Sequence, residues 1–251
     1  MSSTNESRVR ELWNDRVEDP YAWLENPTSS SVLRFLEAEN TRVGEFSSNL
    51  VDLRESIFNE IKSRVKETDL SVPIKKDGWE YYGRTEEGSQ YGVHCRRLAP
   101  VDGSEPGPEV IVIDENSLAE GHDYFEMGVF DISTDHTMCL YGIDTDGDET
   151  YKLHLLDIAS GTSNPLQIDG VMSGSAWDNQ GTSFLYVRPD ETLRPFQIWR
   201  HVLGTEPSED TLVYEEADAQ FFVGLSKERD DSYVHIALGS AVTDEILLLP
   251  A

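Results

Sequence analysis

The sequence predicts a mainly β protein, a β-propeller of about four blades preceded by an N-terminal helical segment. Three observations lead to this prediction. From residue 70 onward, short runs rich in Val, Ile, Tyr, Phe and Trp alternate with clusters of Gly, Asp, Pro and Ser. Similar segments recur at a spacing of about 45 residues, and each contains several strand-like runs. Before residue 70, apolar residues recur at helical spacing instead.

The composition indicates a folded, strongly acidic protein. Of the 251 residues, 38% are hydrophobic, and no apolar run approaches the roughly 20 residues that a membrane-spanning helix needs. The formal net charge is −28, with acidic residues spread along the chain. Such a surface repels nucleic acid and anionic membranes, so neither is expected as a partner. The charge suits a salty cytoplasm, where ions screen the repulsion, and equally a generally acidic proteome.

The N-terminus and the cysteines favour a cytoplasmic location. The first 16 residues lack the apolar stretch of a secretory signal, so we expect the protein to stay in the cytoplasm. Cys95 and Cys139 lie on apolar, strand-like stretches and are most simply buried thiols. A disulfide between them is the alternative.

Residues 1–69 are expected to form an extended and helical segment. Residues 1–27 are polar and end in the aromatic stretch "DPYAWLENP". Thr28, Ser29 or Ser30 can cap a helix after it. Two successive apolar stripes at helical spacing follow, one over Val32, Leu36, Val43 and Phe46, the other over Leu50, Leu53, Ile57, Ile61 and Val65. We expect the two helices to pack as a pair.

Residues 70–251 are expected to form an incomplete propeller domain. Three segments share the plan of an apolar strand, a polar turn and a second strand: "FDISTDHTMCLYGI" (130–143), "AWDNQGTSFLYVRP" (176–189) and "FVGLSKERDDSYVHIAL" (222–238). Third strands follow in "YKLHLLDI", "FQIWRHV" and "DEILLLP", and outer fourth strands in "NPLQI" and "TLVYEE". An earlier blade is expected from "WEYYGR", "QYGVHCRR" and "EVIVID". The chain therefore holds about four blades and stops inside the fourth.

The segment "YGIDTDGDETYKLHLLDIASGT" (141–162) could be a calcium loop or a hairpin with an acidic turn. Aspartates occupy every second position from Asp144, as in an EF-hand loop. That loop needs Gly at its sixth position and Glu at its twelfth, where this chain has Glu149 and Leu155. The pair Asp146-Gly147 between two strand-like runs indicates a tight turn. We therefore predict a hairpin whose acids are solvated.

The residues alone predict no catalytic residue, no cofactor-binding residue and no metal ligand. The chain has no G-x-S-x-G nucleophile elbow, no phosphate loop and no G-x-G-x-x-G motif. The six histidines show no zinc-ligand spacing. His122-Asp123 in "GHDYF" is the most suggestive pair, but a histidine bonded within its own loop is the simpler interpretation. The adjacent acids Glu86-Glu87 and Glu215-Glu216 would point to opposite faces of a strand.

Several motifs resemble the N-terminal region of the prolyl oligopeptidase family of serine peptidases. They are "DPYAWLEN" (19–26), "FLEAEN" (35–40), "EIKSRVKETDLSVPIKKDGWEYYGRTEEGSQYGVHCRR" (60–97), "IDENSLAEGHDYFEMGVFDISTDH" (113–136), "DGDETYKLHLLDIASG" (146–161) and "RPFQIWRHVLGT" (194–205). The stretches "YYGRTEEGSQYGVHCRR" and "LAEGHDYF" are similar more narrowly to oligopeptidase B. The resemblance runs from about residue 17 to the end in one register.

The resemblance implies a seven-bladed propeller followed by an α/β-hydrolase domain that carries a Ser-Asp-His triad. In this family the propeller covers the active site and admits only short peptides, and oligopeptidase B prefers Lys or Arg before the cut. The chain ends near the middle of such a propeller, without the C-terminal hydrolase domain. No position matches the triad motif, so no catalytic residue is carried over. We expect residues 1–251 alone to be inactive.

Two functional hypotheses follow. In the first, the chain is the propeller portion of a cytoplasmic serine oligopeptidase and gates the access of short, cationic peptides. In the second, it is a non-enzymatic propeller binding module or the relic of a truncated gene. Under both, the last blade has an unpaired edge at "EILLLP", where Leu247 and Leu249 should seek a partner. We therefore expect residues 1–251 alone to be aggregation-prone, to self-associate through this open edge or to be marginally stable.

Overall fold

The structure, a computed structural model, describes residues 7–251. The described chain divides after Lys66 into two units, and the second unit is Glu67–Ala251; the two are described separately below.

The first unit begins with a β-hairpin, within the segment that was expected to be extended and helical. Strands β1 (Arg8–Leu12) and β2 (Asp15–Asp19) pair antiparallel, with Leu12 opposite Asp15. The two connecting residues, Trp13 and Asn14, both have positive φ, 49° and 66°. Two central residues in the left-handed region define the turn whose twist matches that of a hairpin.

The two predicted helices exist, but their expected packing as a pair is wrong. Helix α1 (Ser30–Ser47) leads through a single 3₁₀ turn, Ser48–Leu50, directly into helix α2 (Val51–Lys62). The apolar stripes identify one face of each helix, but three residues in 3₁₀ conformation leave no loop in which the chain could reverse. The helices therefore run on as one long, interrupted helix. Within residues 7–251, neither they nor any other helix could cross a membrane.

The second unit consists of four antiparallel β-sheets, which are the four blades that the sequence predicts. Blade 1 contains β3 (Asp69–Leu70), β4 (Ile74–Lys76), β5 (Trp79–Thr85), β6 (Val93–Leu98) and β7 (Val110–Asp114), followed by the short helix α3 (Glu115–Ala119). Blade 2 contains β8 (Glu126–Ile132), β9 (Met138–Asp144), β10 (Lys152–Asp157) and β11 (Thr162–Pro165). Blade 3 contains β12 (Met172–Trp177), β13 (Ser183–Pro189), β14 (Pro195–Val202) and β15 (Thr211–Glu215), and blade 4 contains β16 (Phe222–Lys227), β17 (Tyr233–Gly239) and β18 (Asp244–Pro250).

Strand order within blades 2, 3 and 4 follows chain order, so each blade is a simple meander. Antiparallel neighbours can be joined by short turns, and the Gly, Asp and Ser clusters supply them. The outer strand expected at "NPLQI" is shifted, because β11 begins at Thr162 and ends at Pro165. As far as the structure describes the chain, blade 4 has three strands, and β18 is its edge.

The turn between the first and second strands has the same backbone structure in blades 2, 3 and 4. Each turn has one residue with positive φ at the same position: His136 (61°), Gly181 (66°) and Asp231 (62°). Two backbone hydrogen bonds recur in every turn. In the first, the N–H group of the first turn residue donates to the carbonyl oxygen five residues later: Ser133 to Met138, Asp178 to Ser183 and Glu228 to Tyr233. In the second, the N–H group of the residue with positive φ donates to the carbonyl oxygen three residues earlier: His136 to Ser133, Gly181 to Asp178 and Asp231 to Glu228. The structure therefore confirms the repeat at atomic detail.

The apolar core lies between neighbouring blades. Trp177, Phe184 and Tyr186 of blade 3 pack against blade 2, and all three are about 1% exposed. Blades 3 and 4 bury a second cluster: Ala176, Leu185, Val187, Ile198, Val223, Val234, Ile236 and Leu238. Cys95 and Cys139 are buried free thiols, as the simpler interpretation expected.

The outward face of blade 4 is apolar. Because side chains alternate along a strand, Leu247 and Leu249 point inward and pack against the cluster between blades 3 and 4. The expectation that these two leucines seek a partner is therefore wrong, because the alternation along β18 turns both of them toward the core. Ile246 and Leu248, 59% and 57% exposed, occupy the outward face instead. Phe222 shares that face and is 56% exposed.

The outward face of blade 1 is polar and satisfies its own charges. Tyr82 and Cys95 lie opposite each other at its centre, and both are buried. Arg97 Nε donates to Glu80 Oε2 at 2.8 Å. Glu109 accepts from Tyr82 Oη at 2.8 Å. These pairs cover the aromatic and thiol groups beneath, whereas Ile111, opposite Cys95 on the same face, is 50% exposed.

Candidate functional site

The acidic segment forms a hairpin, but one of its aspartates is buried. Strands β9 and β10 pair as predicted, with Lys152 opposite Ile143, around a loop longer than the tight Asp-Gly turn that was expected. Asp144, 2% exposed, accepts the backbone N–H groups of Asp146 and Gly147 at 2.8 Å and of Glu149 at 3.0 Å. The prediction of solvated acids is thus wrong for Asp144, whose carboxylate closes the loop.

The charge of Asp144 is stabilised by the loop that it organises. Burial opposes ionisation, but the converging backbone N–H groups outweigh it and hold the pKa of Asp144 below its usual value. Its carboxylate oxygens are therefore occupied by amide donors. Among residues 7–251, no group of three or more His, Cys, Asp or Glu side chains could hold a metal ion.

The other segments that the sequence analysis singled out are parts of ordinary local structure. His122 and Asp123 are exposed in the loop after α3, where the His122 backbone N–H bonds to Ala119 O. The segment "GVMSGSA" (170–176), the nearest approach in this chain to a G-x-S-x-G motif, runs into β12, and Ser175 Oγ donates to Asp131 Oδ2 at 3.1 Å. Glu215 ends β15 and accepts from Gln197 of the neighbouring strand.

A cavity with charged and apolar lining residues, at the ends of the first strands of the blades, is the candidate functional site, and we call it the central cavity. Its volume is about 350 Å³. All four blades contribute to its wall: Ile74, Lys76, Tyr81, Phe130, Asp131, Ile132, Ser133, Thr134, His136, Trp177, Lys227, Glu228, Arg229 and Asp231. The recurring turns carry several of these residues, and that recurrence was the one sequence signal that could have brought them together.

An ion pair connects blade 1 to blade 4 at the central cavity. Lys76 Nζ donates to Asp231 Oδ2 at 2.5 Å and to the backbone oxygen of Arg229 at 2.9 Å. The Lys76 and Asp231 side chains are 29% and 22% exposed, so the pair is largely shielded from water. Arg229 Nη2 reaches back to the backbone oxygen of Lys75 at 3.4 Å. The first and last blades of the set are therefore joined directly.

Lys227 connects the remaining blades at the same place. Its Nζ donates to Thr134 Oγ1 of the blade 2 turn at 3.1 Å and to Asn179 Oδ1 of the blade 3 turn at 2.8 Å. It also lies 3.3 Å from Asp231 Oδ1. The carboxylate of Asp231 is therefore shared between two lysine ammonium groups.

Asp131 is a second carboxyl group in the cavity wall, and its surroundings disfavour the charge. Burial raises the pKa of Asp131 to about 7, although the hydrogen bond from Ser175 and the positive charge of Lys227 act in the opposite direction. Near neutral pH, this carboxyl is therefore divided between its neutral and ionised forms.

His136 contributes an imidazole whose two nitrogens lie near Tyr81 and Asp77. Its Nδ1 lies 2.8 Å from Tyr81 Oη. Its Nε2 is buried, has no hydrogen-bond partner and lies 3.5 Å from Asp77 Oδ2. The carboxylate of Asp77 thus lies within ion-pair distance of this buried nitrogen.

The charges around the central cavity are mixed, unlike those of the molecule as a whole. Lys76, Lys227 and Arg229 face Asp131, Asp231 and Glu228 in the same wall. The chain has only 20 Lys and Arg against 48 Asp and Glu, so the three cations mark this place as distinct. Paired charges beside the Trp177 and Phe130 rings suit the binding of a polar chain.

Comparison with known protein families gives one match over nearly the whole chain. Residues 2–251 match the family described as "Prolyl oligopeptidase, N-terminal beta-propeller domain".

Two curated relatives are similar over most of this chain. Dipeptidyl aminopeptidase BI of Pseudoxanthomonas mexicana is 33% identical over 248 residues, which cover 93% of this chain and 34% of the relative. Protease 2 of Moraxella lacunata is 31% identical over 242 residues, which cover 95% of this chain and 35% of the relative. The chain thus spans about a third of the length of the relatives that it matches.

Solved structures show the same arrangement of blades. Oligopeptidase B from Leishmania major superposes with a TM-score of 0.84 at 29% identity, over 94% of this chain and 33% of that protein. Oligopeptidase B from Trypanosoma brucei, in a closed form with covalently bound antipain, superposes with a TM-score of 0.83 at 30% identity, over 99% of this chain and 35% of that protein.

Proposed function

Because the chain belongs to the prolyl oligopeptidase family, as its N-terminal β-propeller domain, we propose that it is the propeller portion of a cytoplasmic serine oligopeptidase that cleaves short peptides at basic residues. The match over residues 2–251 carries this proposal. Hydrolysis would come from a part of a longer protein that corresponds to the remaining two thirds of the relatives. The role of residues 1–251 is to control which peptides reach that part.

The electrostatics of the chain support a preference for cationic peptides. A net charge of −28 raises the local concentration of cations around the molecule and speeds their encounter with it. The central cavity, with a volume of about 350 Å³, can hold one side chain or a short extended segment but no folded domain. Both properties agree with a propeller that admits short, basic peptides.

The first experiment is to determine the mass of the native polypeptide and its activity. An antibody against residues 1–251 enriches the protein from its source, and a fluorogenic peptide with arginine before the cleavable bond reports hydrolysis. We expect a mass far above 28.3 kDa, activity in the enriched fraction and none in purified residues 1–251. Hydrolysis by purified residues 1–251 would contradict the proposal that these residues control peptide access while another part of the protein cleaves the peptide.

A binding module without enzymatic activity is the second candidate, and the charged central cavity favours it. A native mass of 28.3 kDa, with no peptidase activity in the enriched fraction, would support this alternative. Under either function, we propose that residues 1–251 self-associate through blade 4 when the blade has no neighbour.

A further inference from the structure

We propose that Asp231 is a binding site for a cationic side chain of an incoming peptide, and that Lys76 occupies this site while no peptide is bound. The inference rests on the proposed function only for the choice of cationic peptides as the ligand. Binding would be an exchange of ion pairs, in which an arginine or lysine side chain takes the place of the Lys76 ammonium group on the Asp231 carboxylate.

The Lys76–Asp231 pair has the properties that an exchange requires. Its side chains are 29% and 22% exposed, so a competitor in the central cavity can reach them without unfolding a blade. Removing one partner of a shielded ion pair is costly because it leaves a charge uncompensated. Replacing one cation with another avoids that cost, since Asp231 keeps a counter-charge throughout.

Asp231 keeps its position during such an exchange because other groups hold it. Lys227 Nζ remains 3.3 Å from Asp231 Oδ1. The backbone oxygen of Asp231 accepts from Asn179 Nδ2 at 2.9 Å. Lys76, by contrast, lies at the end of the three-residue strand β4, and its other contact is a single backbone oxygen. The lysine is therefore the mobile partner and the aspartate the fixed one.

The remaining wall of the central cavity favours an incoming cation once Lys76 has left. Asp131, Asp231 and Glu228 then face only Lys227 and Arg229. Asp131 lies in the same wall as a second carboxyl group. A guanidinium group has five N–H donors, enough for a carboxylate and an additional acceptor.

Exchange at Asp231 would also change how the blades are joined. The Lys76 ammonium group links blade 1 to blade 4, and a peptide side chain that displaces it removes this link. Lys227 continues to connect blades 2, 3 and 4. Peptide binding would thus weaken the connection between blades 1 and 4, which would keep the hydrogen bond from Arg229 Nη2 to the backbone oxygen of Lys75.

The test compares two substitutions within the same ion pair. A fluorescently labelled, end-capped Ala-Arg-Ala peptide is titrated with residues 1–251, and anisotropy reports binding. Asp231→Asn should weaken binding about tenfold, because the peptide loses a charge-assisted hydrogen bond. Lys76→Met should strengthen it about threefold, because the competing cation is gone. We therefore expect the two substitutions within one ion pair to change peptide affinity in opposite directions.

Matched controls separate this site from the general acidity of the chain. Lys152 and Asp146 form an exposed ion pair at 3.3 Å, with side chains 50% and 67% exposed. Lys152→Met and Asp146→Asn should leave peptide affinity unchanged. A peptide with citrulline in place of arginine keeps the shape but lacks the charge, and it should not bind.

Two outcomes would overturn the proposal. If both substitutions weaken binding, the pair is only a structural link, and if neither changes it, the peptide binds elsewhere. Asn is tolerated at the positive φ of residue 231, and circular dichroism verifies that each variant is folded. If Asp231→Asn does not fold, the Lys76→Met result decides alone, since only exchange predicts a gain. Failure of the proposed peptidase function would appear in the hydrolysis assay and leave this binding result unaffected.

Discussion

Asp131 shows how a single carboxyl group makes folding stability depend on pH. Burial raises its pKa from 3.8 to about 7 in the folded protein. The folded state therefore holds a proton that the unfolded state releases, and this contribution is full below pH 4 and lost as the pH rises through 7. Above pH 7, the folded protein must hold a disfavoured charge in the cavity wall.

We predict that Asp131→Asn stabilises the protein above pH 7 by about 1–3 kcal/mol and has little effect near pH 4. The asparagine oxygen can still accept the hydrogen bond from Ser175. Urea unfolding at pH 4, 6 and 8 measures the difference. A gain that is equal at all three pH values would show that the raised pKa is not its cause.

Asp144→Asn is the matched control for Asp131→Asn, because we expect it to destabilise the protein where Asp131→Asn stabilises it. The loop N–H groups lower the pKa of Asp144, so its contribution is full at neutral pH and is lost as the pH falls through the ordinary aspartate range. The substitution should destabilise the protein at pH 7 by about 1–2 kcal/mol and matter less in acid.

At the level of a single strand, Gly128 shows how closely blade 2 is packed. A Cβ atom at this position of β8 would lie 1.9 Å from Cζ of Tyr151, whose ring is 7% exposed. The backbone of Gly128 is not in the left-handed region, so the requirement for glycine here is one of space. The strand register also shifts between Met127 and Val129, on either side of this glycine.

We predict that Gly128→Ala destabilises the protein by about 2–3 kcal/mol, because the buried tyrosine ring or the strand must move. Gly83→Ala is the control: Gly83 lies within β5, and an added methyl group there would meet no atom within 4 Å. That substitution should be neutral or slightly stabilising. Thermal unfolding of both variants measures the contrast, and equal losses would contradict the packing argument.

The elements that the sequence predicted are those whose pattern is local. The pairs Leu140-Tyr141 and Leu185-Tyr186 mark equivalent second strands because alternation and turn residues act over a few positions. The hairpin Arg8–Asp19 was missed because its strands are exposed and carry alternating charges in place of an apolar face. The packing of α1 and α2 was predicted wrongly because an apolar stripe identifies the face of a helix that can be buried but does not identify the element that packs against it.

The central cavity could not be predicted from the sequence for a related reason. Lys76 and Asp231 are 155 residues apart, and only the stacking of four blades brings them into contact. Neither residue belongs to a motif with chemical meaning of its own. Asp144 was placed wrongly because a turn aspartate serves equally well in water or as an acceptor for its own loop, and burial decides between the two.

For the whole molecule, the contrast between the two outward faces of the blade set determines how it can associate. The face of blade 1 carries hydrogen-bonded charges over Tyr82, whereas the face of blade 4 exposes Phe222, Ile246 and Leu248. Exposed apolar faces next to a free strand edge favour association. The net charge of −28 opposes it, because two copies repel each other at low ionic strength.

We predict that purified residues 1–251 self-associate through blade 4 and do so more strongly as salt is added, because ions screen the repulsion between copies. Sedimentation at several protein concentrations, in about 0.15 M and about 2 M KCl, measures the effect. Leu248→Lys should reduce association, whereas Val242→Lys, in the 89% exposed hairpin turn beside it, should not. A monomer at all concentrations, with one sharp unfolding transition, would contradict the prediction.

The recurring turn of blades 2, 3 and 4 has a consequence for how this protein can change over time. One backbone conformation accepts His136, Gly181 and Asp231 at the same left-handed position, with the same pair of hydrogen bonds around each. The backbone of each repeated turn is thus independent of the side chain that it carries. Substitutions in one turn can therefore change the side chains that a blade presents around the common axis, while the backbone of the blades stays the same.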